Sequence, residues 1–252
     1  KNAEMYNESS RCMIEKWDVN CTEHPQVCGA ALALQREYEF MAAACMDKFM
    51  LKTDRRVTKM MLKGYEQDKA ANAPQPKYRC LVWACPAHYY TNFTYWTQHC
   101  WGVTCVNDME AMLSYQPITI GDKEQALADL VRCYEKMMMR SHTNGGYVNL
   151  LDECWKMCEK FHTNIVIMYD HVSCKNVGGL HGLFEDQARE RGIHLIWIPH
   201  DVMDPRTVSR REMREARVVL FHGIHRAQRA PHKVGVFKYA GKVETGHDGI
   251  RE

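Results

Sequence analysis

The 252-residue sequence has almost no excess of one charge: 33 Lys and Arg face 31 Asp and Glu, a formal net charge of +2. Such a balance gives no global pull towards nucleic acid or an anionic membrane, and neither is expected as a partner. The one basic cluster, RTVSRREMREAR at 206–217, is interleaved with acids and reads as a solvated helix face. Long apolar runs are missing too. The longest charge-free stretch, Cys80–Asn107, holds Pro86, His88, His99 and several Thr and Asn, too polar for a membrane span. No signal-peptide pattern opens the chain, and 12 Cys are too sparse for a small disulfide scaffold. A cytoplasmic protein with reduced thiols is the expectation. No G-x-G-x-x-G follows a strand and no G-x-x-x-x-G-K-[ST] occurs, which argues against a Rossmann dinucleotide site and an ATPase. The G-x-S-x-G elbow of many hydrolases is also absent.

What is present is an ordered alternation. Leu34, Tyr38, Met41, Cys45 and Phe49 recur at helical spacing from Gly29 to about Leu51, and a shorter helix follows around Val57–Tyr65. Residues 1–65 are therefore read as a helical, Cys-containing N-terminal region, although 1–28 show no clear period. EQDKAANAPQPK at 66–77 reads as a linker. An α/β domain is placed at 78–229, with strands CLVWA (80–84), VTCV (103–106), NIVIMY (164–169) and IHLIWI (193–198). Between them lie an aromatic stretch, Tyr89–Cys100, and a helix opened by the capping pair Asp122 and Gln125, with Leu127, Leu130, Val131, Tyr134, Met137 and Met138 on its core face. A further helix carries Val148 to Phe161, and another runs from Leu180 to Arg191 and stops at Gly192. Ser209 with Glu212 opens a last helix, and 230–252 form an irregular arm. Continuous apolar strands separated by helices predict a doubly wound, mostly parallel four-stranded sheet covered on both faces.

In such sheets ligands bind beyond the carboxyl ends of the strands. The residues placed there are Cys85-Pro86, Asn107-Asp108, Asp170 to Lys175, and His200-Asp201 with Asp204. Cys174 precedes a helix, whose unpaired N–H groups favour a thiolate, and Lys175 adds positive charge. Gly178 and Gly179 permit close approach by an inorganic cluster or a pyrophosphate. His171 reads equally well as a proton donor or as the partner of a backbone carbonyl. The pairs Cys80/Cys85 and Cys100/Cys105 are C-x4-C, a poor match to zinc spacing, so a zinc-stabilised binding module trails as a reading.

WACP at 83–86, GDKEQALADLVRCYEK and the run IVIMYDHVSCKNVGGLHGLFEDQARERGIHLIWIPHDVMDPR follow one another in an order that resembles the benzoyl-CoA reductase/2-hydroxyacyl-CoA dehydratase family, over about residues 78–221. The resemblance implies a subunit of an oxygen-sensitive, anaerobic iron–sulfur enzyme doing one-electron chemistry on an acyl-CoA thioester. It implies a [4Fe–4S] cluster held by three cysteines, a related family subunit in a hetero-oligomer, and an electron-donating activator or other low-potential donor. Cys174 matches the Ser-Cys-Lys loop of the family and is the one residue to which cluster ligation is carried over. Residues 1–77 show no motif for further cluster cysteines. A cluster-free structural partner subunit of such a complex is therefore the alternative. Within this frame His171 is the candidate catalytic residue; Lys175, Gly178 and Gly179 are candidates for cofactor binding, and Cys85, Asp201 and Asp204 for substrate binding.

Overall fold

The computed structural model describes residues 1–42, 48–85, 92–109, 117–136 and 145–207, and the side chains of all of these except 36–42 and 92–95. Four strands are formed: β1 (Tyr78–Trp83), β2 (Val103–Asp108), β3 (Ile165–His171) and β4 (His194–His200). All four lie within two residues of where the apolar runs put them, and β2, β3 and β4 each extend two residues further at their carboxyl ends. All pairings are parallel, in the order β2-β1-β3-β4. Burial explains the sequence pattern. Every residue of β1 is buried, and so is β3 from Ile165 to Tyr169, as expected of strands covered on both faces.

The helices are α1 (Asn2–Cys21), α2 (Gly29–Ala42), α3 (Lys48–Ala70), α4 (Asn92–Trp101), α5 (Lys123–Glu135), α6 (Gly146–Lys160), α7 (Lys175–Gly178) and α8 (His181–Arg191). One face of the sheet packs Leu81, Trp83, Val166 and Met168 against Met13 and Trp17 of α1, Leu151 and Trp155 of α6 and Phe184 of α8. The other packs Cys80, Val82, Cys105, Ile167 and Ile198, with Cys28, Trp96 and Trp101 against them. Met13 and Trp17 thus tie the helical N-terminal region directly into the sheet's core.

Several elements differ from the sequence reading. Residues 2–21, which show no period, are a 20-residue helix. The stretch read around Gly29–Leu51 is described as α2 up to Ala42, and from Lys48 one helix of 23 residues, α3, takes in Val57–Tyr65 and runs through Ala70, into the stretch read as linker. Asp122 does cap α5, accepting from the N–H groups of Glu124 and Gln125, but the Gln125 side chain turns forward to Asp129. Leu127, Leu130, Val131 and Tyr134, read as a core face, are between 47% and 58% exposed. Gly192 ends α8 with φ 68°, as its placement after Arg191 predicts. The Ser209 cap, Met137, Met138 and the 230–252 arm lie outside the described residues.

Candidate active site

From β1 the chain crosses to β2 on one side, whereas β3 and β4 lie on the other. The carboxyl ends of β1 and β3 are therefore the topological switch point, where successive connections diverge and leave a crevice. β1 leaves the sheet through Ala84 at φ 63°. A left-handed alanine costs roughly 1–2 kcal/mol, and here it redirects the chain so that Cys85, half-buried, follows at once.

Across the crevice, β3 ends in Asp170 and His171. The Asp170 carboxylate accepts the indole N–H of Trp197 at 2.8 Å. A Cβ added to Gly178 would lie 3.4 Å from Asp170 Oδ1. The close approach that Gly178 permits is thus to Asp170, and Gly179 abuts the Lys175 carbonyl, where an added Cβ would lie 3.0 Å away. Cys174 heads the single turn α7: its N–H donates to the His171 carbonyl at 2.7 Å, and its carbonyl accepts from Gly178 N–H at 3.1 Å. That pair of backbone bonds leaves the thiol half-buried at the rim. Lys175 is exposed beside it.

His171 makes the carbonyl contact that the sequence left open. Its Nδ1 lies 3.4 Å from the His200 carbonyl, and its Nε2 lies 2.9 Å from Ser173 Oγ. With the proton on Nδ1 pointing at the carbonyl, Nε2 accepts from the serine hydroxyl and faces the accessible side of the rim. His171 and His200 are register partners, their ring centroids 6.0 Å apart.

His200 is the residue that sequence reasoning placed at the rim but left out of the site. It is fully buried, edge-on to Tyr169 at 5.2 Å, and neither ring nitrogen has a hydrogen-bond partner among the described residues. Burial pushes its pKa down, against backbone groups of Cys85, Asp170 and Ile198 that favour the charged ring, and the neighbouring His171 lowers it further. Asn107, at the end of β2, is likewise fully buried, and its amide atoms have no partner among the described residues. Gly29 rests on its backbone, where an added Cβ would come 2.4 Å from Asn107 Cα. The legible signal for these two was only their position after an apolar run.

Asp201 and Asp204 stand beyond β4, at the same end of the sheet as His171, because β3 and β4 pair in parallel with His171 opposite His200. Both carboxylates are engaged within their own loop. Asp201 Oδ1 accepts from the N–H groups of Met203 and Asp204 at 2.8 Å each. Those bonds hold its pKa below the usual carboxylate range, with a smaller contribution from His171. Asp204 takes a two-pronged bond from Arg206, which holds its pKa at about 2.

A family model described as "2-hydroxyglutaryl-CoA dehydratase, D-component" matches residues 1–221. The chain belongs to that family. No curated protein matches it. The match takes in α1–α3 as well as the sheet, so the family pattern begins well before Tyr78, where the motif resemblance starts. D-components belong to dehydratases that work with partner subunits and an activator, and the family is generally associated with iron–sulfur enzymes.

The thiols of this D-component family member do not assemble a cluster ligand set among the described residues. Cys174 and Cys85 are at the rim, but no group of three or more His, Cys, Asp or Glu there is arranged to hold a metal ion. The dense thiol group is elsewhere, within the sheet: Cys80 and Cys105 are register partners on β1 and β2, and Cys28 packs against the same core. Cys28 donates to Cys105 and lowers its pKa; the bond that Cys105 donates to Cys80, with burial, outweighs that and keeps the thiol well up. Cys154 and Cys158 are buried between α6 and the sheet. These are packing thiols. Among the described residues, no helix is long and apolar enough to cross a membrane.

Proposed function

We propose that the chain is a subunit of a 2-hydroxyacyl-CoA dehydratase-type enzyme and that the crevice between β1 and β3 faces the acyl-CoA thioester. The observation that carries this is the placement of Cys174 and His171, a thiol and an accessible imidazole nitrogen on one turn beyond the switch-point strand. The family description favours a dehydratase over a benzoyl-CoA reductase. His171 holds or delivers a proton at Nε2, with Ser173 as its hydroxyl partner and the His200 carbonyl fixing the ring. Asp201 and Asp204 shape the loop beside it, and Cys85 forms the opposite lip. Lys175 supplies a mobile cation for an anionic group at the rim.

In this reading Cys174 gives one thiolate to an iron–sulfur centre of an oxygen-sensitive, one-electron enzyme fed by an activator. Anaerobic purification with iron and acid-labile sulfide analysis tests it. About four iron and four sulfide, the content of a [4Fe–4S] centre, that fall on Cys174→Ser support the ligand role. Wild-type iron content in Cys174→Ser sinks it. Iron-free protein that binds a related subunit assigns the cluster-free partner role instead.

A further inference from the structure

Three thiols meet where the N-terminal helices are pressed onto the sheet. Cys80 and Cys105 are register partners on β1 and β2, both sealed in the core, and Cys28 packs against the same cluster from the head of α2. Cys28 itself is half-buried, and its carbonyl accepts from the N–H groups of Ala31 and Leu32 in the first turn of that helix. One side chain fixes the two backbones beside each other. Asn20 of α1, fully buried, donates from Nδ2 to the Val27 carbonyl at 2.7 Å and to the Val106 carbonyl at 2.9 Å. The residue before Cys28 and the residue after Cys105 are thus held by a single nitrogen atom. Val106 is the extra residue of a bulge, because Cys80 faces Cys105 while Leu81 faces Asn107. Gly29 closes the contact beyond it, with an added Cβ only 2.4 Å from Asn107 Cα. Cys105 Sγ lies 3.5 Å from the carbonyl of that same Asn107.

Packing accounts for Cys80 and Cys105 in the reduced chain. It does not account for a half-buried thiol set against a sealed one by a buried amide clamp. Solvent reaches Cys28 alone of the three, and burial keeps the Cys105 thiol protonated, so an oxidant from solvent reacts first at Cys28. We propose that Cys28 and Cys105 are a peroxide-sensitive pair that closes reversibly to a disulfide and so fastens α2 to β2. In the first step the Cys28 sulfur attacks one oxygen of hydrogen peroxide. The O–O bond breaks, a water leaves, and Cys28 becomes a sulfenic acid. In the second the Cys105 sulfur attacks the Cys28 sulfur; its proton departs with the sulfenic hydroxyl as a second water, and the S–S bond forms. Two thiols are oxidised by two electrons in all, and one peroxide is reduced to two waters. Closure stops Cys28 short of the irreversible sulfinic and sulfonic acids, and an added dithiol reopens the bond by exchange. This chemistry needs neither a cluster nor a substrate, so it stands apart from the dehydratase reading.

Peptide mapping by mass spectrometry tests it on the full chain, purified anaerobically, reduced, treated with hydrogen peroxide and then alkylated. A peptide pair linked through Cys28 and Cys105 is expected, and it should vanish after dithiothreitol. The linked chain is expected to melt at least about 3 °C above the reduced one, since the bond closes a long loop that takes in α2, α3, β1 and α4. Cys100→Ser, which removes an exposed thiol elsewhere, is expected to keep both the link and the shift. Cys28→Ser is expected to lose both, with Cys105 free to alkylate once the chain is unfolded. The map of the wild type decides the pairing even where a variant fails to fold. Linkage of Cys28 to Cys80 or to any other cysteine overturns the pair, and so does a chain in which both thiols stay free. Cys28 carried on to sulfinic acid with Cys105 unlinked overturns the resolving role. A linked chain that melts no higher than the reduced one overturns the fastening of α2.

Discussion

A buried imidazole is a poor place for a proton, and burial lowers the pKa of His200 below the usual histidine value. The groups facing it are Tyr169, His171, the backbone of Cys85 and Asp170, and none supplies a compensating negative charge at hydrogen-bond distance. A histidine whose folded pKa is depressed binds protons more readily in the unfolded chain. Its contribution is therefore full above the unfolded value of about 6.5 and is lost as pH falls from there towards the folded value. Urea unfolding at about pH 7.5 and about pH 5.5, either side of that value, should show a larger acid loss for the wild type than for His200→Gln. Equal losses would show that another group drives the acid sensitivity. Cys174 is the contrasting case. Its hydrogen bonds are made by backbone atoms alone, so Cys174→Ser should change stability by no more than about 0.5 kcal/mol while removing the thiol, and a thermal melt run beside the iron assay checks that.

The α1–α3 pair is fastened by a buried charge pair as well as by apolar burial of Val19 with Met61 and Tyr65. Lys16 Nζ lies 2.6 Å from Asp54 Oδ1, with both side chains essentially inaccessible, and Ser9 and Gln35 add bonds to the same carboxylate. Breaking such a pair leaves an uncompensated buried charge. Asp54→Asn should cost about 3–5 kcal/mol, whereas Lys16→Met/Asp54→Leu should recover most of that. Chemical denaturation of the two variants checks this, and a double variant as unstable as the single one would refute the desolvation account. The same pair explains why α1 was illegible in the sequence. Its buried side includes Ser9, Ser10, Lys16 and Asn20, so no apolar period survives, and the partner that makes Lys16 tolerable lies 38 residues away. The strands were legible because burial on both faces writes an unbroken apolar run, and Gly192 was legible because αL geometry selects glycine. At the site, Cys174 and His171 were readable from their place after β3. The lowered pKa of His200 was not, since it depends on Tyr169, Cys85 and His171 closing around it.

At the scale of the whole molecule, assembly needs apolar surface that the chain's own core does not cover. In the described part of the Tyr89–Trp101 stretch, Trp96 and Trp101 meet edge-on at 5.8 Å and pack against the chain's own sheet. One group of exposed apolar side chains belongs to α5. Leu127, Leu130, Val131 and Tyr134 recur at helical spacing on its outer side, with Ile120 exposed just before it. The helix is pinned by the Asp129 carboxylate, which accepts from Thr119, Gln125 and Arg132, rather than by core packing. An amphipathic helix held this way, in a family whose members work with partner subunits, is expected to dock its stripe on the related subunit. The complex should bury more than roughly 2,000 Å² in all, the range of obligate assemblies. Leu130→Glu/Tyr134→Glu should then abolish co-purification with a co-expressed partner subunit and leave the melting temperature of the isolated chain nearly unchanged, because both side chains are already exposed. A variant that still sediments as the hetero-oligomer would remove α5 from the interface, and a wild-type chain that sediments as a monomer beside its partner, with a native melting transition, would remove the expectation of an obligate complex.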